Sequence, residues 1–255
     1  EGLRCAMIGT ALRRTGQGGW TPAVLSPYAW FDAAQESYAD GDPVGTWTNR
    51  GTGAGNLTAS GTARPTFKTS IINGYPVLRF DSNDAMSVAS FNPATAALTI
   101  WAVFTAPSGT DRIIAELSAN FNSTTAWLLY RAATNTVIFS EHESAWTTWT
   151  TTGTATTSPS AFVATLDRAL TTNEIAGYLN SSATNGSLST NINLTNAAFP
   201  SDTLYVGARA ASSVFFGGST TADLAEFGVC ASALGSTDRT SLMTYLGTKY
   251  GITIT

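Results

Sequence analysis

The sequence places two carboxylates two residues apart, Glu141 and Glu143, on either side of the one histidine of the chain, His142. On a strand, residues i and i+2 point to one face, and two carboxyl groups about 5 Å apart serve a retaining glycosidase as acid and nucleophile. Trp146 and Trp149 follow closely in a Thr-rich context. A sugar ring stacks its apolar face on such aromatics while its hydroxyls pair at the edges. Glu141, His142, Glu143, Trp146 and Trp149 therefore form the candidate carbohydrate-contact set. Two plainer readings stand beside it: the carboxylates mark an exposed strand end or loop, or one or both indoles cap the core at a sheet rim.

Other chemistries find less support. A single histidine cannot build a His-rich zinc site, and no second His completes a zincin helix after His142-Glu143. Neither a phosphate-binding loop nor a nucleophile elbow is present. Oxygen-rich loops at Asp81-Ser-Asn83-Asp84 and Asp40-Gly-Asp42 could hold calcium. The same residues are also ordinary turn formers through their own side-chain hydrogen bonds. No cofactor is expected, and Asp81, Asn83 and Asp84 are kept as a candidate cation site.

Near the start, Leu3, Met7, Ile8, Ala11 and Leu12 recur at spacings of three and four, with Arg4, Arg13 and Arg14 around them. This is an amphipathic stripe, too short to be a stable helix alone. Gly16, Gly18 and Gly19 then break the pattern. Residues 1–23 read as a docking arm and hinge, with Leu3, Met7, Ile8, Leu12, Arg13 and Arg14 as its anchor, and residues 24–255 as one folded domain. A leader without a docking role is the alternative.

The elements that must position these groups are strands. Charged residues make up only 12% of the 255, and Thr, Ser, Asn and Gly fill the polar places. The net charge of −4 leaves no electrostatic footprint for nucleic acid or anionic lipid. No apolar run approaches the ~20 residues of a membrane span. Turn signals recur every eight to twelve residues between short β-branched and aromatic runs, the rhythm of an all-β sandwich. Asn73-Gly74 between two such runs predicts a hairpin with a type I′ turn. Further strands are expected at 85–90, 97–105, 112–117, 125–131, 136–141, 161–167, 174–180, 202–208 and 223–230. Trp30, Trp47 and Trp101 belong to apolar segments and are expected in the core. One helix is expected at 237–249, capped by Ser236, closed by Gly251, and packed through Leu242, Tyr245 and Leu246.

A set of local patterns, in order, resembles the concanavalin A-like, laminin-G-like jelly-roll family, above all its version in bacteriophage virion proteins. The patterns are Trp30-Phe-Asp-Ala, Asp40-Gly-Asp-Pro-Val-Gly-Thr-Trp47 and the Gly-rich Asn49 to Asn56. They continue with Arg64-Pro65, Pro76-Val-Leu-Arg-Phe-Asp81 with Asp84, Asp223 to Val229, and the closing Tyr245-Leu-Gly-Thr-Lys-Tyr-Gly251. The resemblance implies an antiparallel two-sheet jelly roll with a C-terminal helix; it does not imply a single function, because this fold hosts lectins, glycosidases and structural modules. Glucanases of this fold carry an additional Asp between their two Glu residues, where this chain has His142. The expectation is thus a non-enzymatic virion component, a head or tail decoration protein or adhesin. It would sit on the particle surface, dock on other virion proteins through its arm, assemble as a homo-oligomer, and contact host-surface glycans. The alternative is a free carbohydrate-binding module or glucanase-type domain of a secreted bacterial protein.

Overall fold

The computed structural model describes residues 19–53, 55–119, 126–142, 146–152, 158–189, 196–209 and 214–255. Among them the first strands are β1 (Ala29–Asp32), β2 (Thr46–Trp47), β3 (Leu57–Thr58), β4 (Thr66–Ile72), β5 (Tyr75–Ser82) and β6 (Met86–Phe91). The middle of the chain supplies β7 (Ala97–Thr105), β8 (Arg112–Leu117), β9 (Ala126–Arg131), β10 (Val137–His142) and β11 (Trp146–Thr151). Then come β12 (Ser160–Asp167), β13 (Ile175–Leu179), β14 (Gly186–Leu188), β15 (Asp202–Val206), β16 (Gly218–Cys230) and the helix α1 (Ser236–Tyr250).

These strands form two antiparallel sheets. One runs β13-β12-β7-β16-β5-β4, with β1 paired to β16; the other runs β14-β11-β10-β9-β8-β15-β6-β3-β2. The expected β-sandwich is therefore present. The hairpin between β4 and β5 turns at Asn73 and Gly74, both with positive φ (50° and 80°), as a type I′ turn requires.

Alternation along the strands builds two hydrophobic layers. On β7, Ile100, Ala102 and Phe104 face the other sheet and join Phe31, Trp47, Phe80, Trp127 and Phe139 in the central core. Trp101 and Val103 point the other way and pack with Val163, Leu242, Met243, Leu246 and Tyr250 beneath α1. A strand covered on both faces reads as a continuous apolar run, which is why Leu98-Thr-Ile-Trp-Ala-Val-Phe104 lacks alternation.

The helix differs from expectation in two details. Gly235, not Ser236, is the N-cap, and no side chain caps the first turn; Gly251 closes the last turn in the left-handed region. Leu242 and Leu246 are buried as expected, with Met243 and Tyr250, whereas Tyr245 is only half-buried. Residues 19–23, assigned to the arm on sequence grounds, belong with the sandwich: Trp20 packs on the helix-side core and meets the Tyr245 ring at 5.9 Å. The anchor residues Leu3, Met7, Ile8, Leu12, Arg13 and Arg14 lie outside the described residues.

Candidate functional site

The structure separates the sequence-derived set. Strand pairing puts Phe139 opposite Trp149 and Glu141 opposite Thr147, while His142 faces Trp146. Phe139, Glu141 and Trp149 thus share the inner face. Trp149 is 2% exposed and packs on Phe162 with ring centroids 5.7 Å apart. Gly177 and Gly186 make room for that indole, since a Cβ on either would lie within 2.6 Å of the ring. Glu141 is fully buried and ion-paired with Arg168, whose guanidinium also donates to the Ala197 carbonyl at 2.8 Å and stacks over Phe199. Neither residue can reach a sugar or act as an exposed acid, which corrects the expectation for both. His142 and Trp146 remain together on the outer face, half-buried, with ring centroids 4.7 Å apart; Glu143 lies outside the described residues.

The candidate cation loops are turns. Asp84 is buried and its Oδ2 accepts the Asp81 N–H at 2.8 Å, while its own N–H donates to the Asp81 carbonyl at 2.8 Å. Asp81 and Asn83 are exposed. Asp40 takes Lys68 Nζ at 3.0 Å and the Thr69 N–H at 2.9 Å, and Asp42 takes the Ala39 N–H at 2.8 Å. These oxygens close their own loops, and among the described residues no three acidic, His or Cys side chains converge as metal ligands.

A different site lies between α1 and the β1–β16 edge of the first sheet. In the pairing of β1 with β16, Asp32 stands opposite Glu226 and Trp30 opposite Gly228; in that of β16 with β7, Gly228 stands opposite Trp101. Gly228 carries no side chain where a Cβ would fall 2.0 Å from Trp101 Cζ2. The two indoles flank this gap, and both N–H groups reach Glu226 Oε1, at 2.9 Å from Trp30 and 3.3 Å from Trp101.

Two carboxylates directly opposite on one sheet face repel each other. The helix supplies the remedy: Lys249 Nζ donates to Asp32 Oδ2 at 2.7 Å, to Glu226 Oε2 at 2.9 Å and to the Tyr245 hydroxyl at 3.0 Å. An ammonium has three protons, so all are committed. Tyr250 donates to Glu226 Oε2 at 2.9 Å, and Tyr245 does so at 3.3 Å. Glu226 is fully buried, which pushes its carboxyl up, with Asp32 adding to the rise; Lys249 and the Tyr250 hydrogen bond oppose it. Burial, then the charge of Glu226, raises both Tyr245 and Tyr250, so both phenols stay protonated donors.

Above this floor opens a pocket of about 750 Å³, within the ~300–1,000 Å³ range of small-ligand sites. Its walls carry Trp20, Trp30, Tyr75 and Tyr245, and its rim Thr21, Gln35, Thr240, Ser241, Thr244 and Thr248. Tyr75 is 37% exposed. Sequence reasoning missed this site because Trp30 reads as core and Tyr245 as a packing residue of the helix, and both are in part what they read as. A signal was available: Glu226 interrupts an apolar strand, and a buried charge demands a partner; Lys249 is one of two lysines in the chain.

No family model matches the sequence, and no curated protein matches it. Solved structures do. The receptor binding domain of botulinum neurotoxin D aligns with a TM-score of 0.61 at 9% identity, over 87% of this chain and 53% of that one. The binding domain of serotype G gives 0.56 at 10% identity, over 87% and 51%. The serotype D ligand binding domain in complex with N-acetylneuraminic acid gives 0.61 at 10% identity, over 87% and 51%. This chain spans about half the length of those structures. At such identities the likeness establishes the fold alone: an antiparallel two-sheet jelly-roll sandwich closed by one helix.

Proposed function

We propose that the domain is a non-catalytic carbohydrate-binding module that takes a glycan in the pocket between α1 and the β1–β16 edge. One observation carries this reading: four aromatic side chains, Trp20, Trp30, Tyr75 and Tyr245, wall a pocket whose rim is hydroxyl and amide. Aromatic faces bind the C–H surfaces of a sugar ring, and rim groups pair with its hydroxyls. The chemistry of the floor supports the non-catalytic reading. Asp32 and Glu226 are buried and their oxygens are engaged by Lys249, the indoles, the phenols and the Ala34 N–H, so neither is placed to shuttle a proton to a substrate. A fold neighbour solved with N-acetylneuraminic acid supports the sugar reading at the level of fold.

The sequence resemblance extends this reading to a displayed, repeated subunit on a virion surface, attached through residues 1–18. That placement is supported by the resemblance and by the apolar stripe Leu3, Met7, Ile8 and Leu12 beside Arg13 and Arg14. A glycan array probed with the whole chain, followed by calorimetric titration of the strongest hits, tests the binding function; loss of those hits in Tyr75→Ala supports the site, and an array without hits overturns it. Detection of the chain in purified particles, and its loss on deletion of residues 1–15, tests the placement.

A further inference from the structure

We infer that the pocket, read as a glycan site as above, selects neutral saccharides and rejects those bearing carboxylate or sulfate. The inference rests on that reading and adds the ligand class, which the floor's charge decides. An anionic ligand needs a cation or a cluster of uncommitted N–H donors, whereas a hydroxyl needs only one partner of either kind.

Among the described residues the one cation lining the pocket is Lys249, and its three protons already go to Asp32, Glu226 and Tyr245. Its charge is likewise answered twice over, by carboxylates at 2.7 and 2.9 Å. The aromatic walls close around the same ammonium, with the Tyr245 ring 5.3 Å and the Tyr75 ring 5.6 Å away. Neither Arg50 nor Arg239 is among the residues that line the pocket. Arg50 donates to the Gln35 carbonyl at 2.6 Å and lies 3.8 Å from Glu36, and Arg239 stacks on Tyr178, 4.2 Å from its ring centroid. Among the described residues, a carboxylate or sulfate entering the pocket would therefore meet the Asp32 carboxylate and a lysine whose protons are already spent. A neutral ring meets indole and phenol faces, the Gln35 amide and the helix hydroxyls, all of which can serve it.

The test compares matched ligands on the whole chain: neutral oligosaccharides and the same cores carrying sialic acid, uronic acid or sulfate, titrated at 20 and at 150 mM salt. The expected result is that the acidic members bind at least tenfold more weakly, about 1.4 kcal/mol, and that the affinity of the neutral members does not change with salt. A second variant reads the cause. Thr244 and Thr248 are exposed on the helix rim, so Thr244→Lys adds an uncommitted ammonium without touching the floor, and should raise the ratio of acidic-ligand to neutral-ligand affinity severalfold. Acidic ligands that bind the unaltered chain as well as or better than neutral ones would overturn the selectivity while leaving the glycan site standing. Binding of neither class would overturn the glycan reading and this inference with it.

Discussion

Replacing Glu141 by Gln removes a charge and almost no volume, and isolates the worth of the Glu141–Arg168 pair. Both side chains have no exposed surface. In the variant, Arg168 keeps the Ala197 carbonyl and the Phe199 ring, but its buried charge loses the Glu141 carboxylate. Breaking a buried pair in this way costs roughly 3–5 kcal/mol; because an amide still offers one acceptor, the lower figure applies. For a chain of this length, 1 kcal/mol moves the melting temperature by about 2–4 °C, so Glu141→Gln should melt roughly 6–12 °C lower. The double variant Glu141→Leu with Arg168→Met, which buries no charge, should recover most of that loss. Near-UV circular dichroism melts and urea titrations read both effects, and glycan binding below the transition should be unchanged. A shift under about 2 °C in the single variant would refute the burial of an obligate pair, and restored stability with lost binding would refute the assignment of Glu141 to the core.

Three further outcomes follow from the same geometry. Lys249→Met leaves Asp32 and Glu226 facing each other without a cation and removes what opposes the upward push of burial and Asp32 on the Glu226 carboxyl, so the variant's folded state favours the protonated carboxyl more than the unaltered chain does. The deficit against the unaltered chain, followed by urea unfolding, should be largest near pH 8 and narrow as the pH falls toward the ordinary Glu value of 4.5. Burial pushes Asp84 up from 3.8 to about 6, so its contribution is lost as the pH rises through that window; Asp84→Asn, which keeps an acceptor for the Asp81 N–H, should flatten a change of about 1–3 kcal/mol between those values. Gly228→Ala drives a methyl into Trp101 and should destabilise by about 1–3 kcal/mol, with weaker glycan binding as the Trp30 wall shifts; an unchanged melt would contradict the packing.

The sandwich was legible where local chemistry and tertiary context agree. Asn73-Gly74 demands its turn whatever surrounds it, and Ala97–Thr105 and Arg112–Leu117 are long enough to be bounded from sequence. The two-residue strands β2 and β3 carry no pattern, because pairing with neighbours and not propensity makes them strands. The candidate site was misread for a related reason. Glu141 and Trp149 look like surface chemistry in a Thr-rich stretch, but strand parity puts them on the inner face, and a one-residue change of register would reverse it. The helix–sheet pocket was invisible as a unit because its floor joins Asp32 to Lys249 across 217 residues; only the pairing of β1 with β16 brings the pieces together.

The most direct test of a glycan site at α1 and the β1–β16 edge is a crystal structure of the whole chain with the tightest-binding oligosaccharide from the array. The expected density is a sugar ring against Trp20 and Tyr75, with its hydroxyls toward Gln35 and the helix threonines. Density on the outer-face His142–Trp146 pair instead, with the pocket empty, would contradict the assignment.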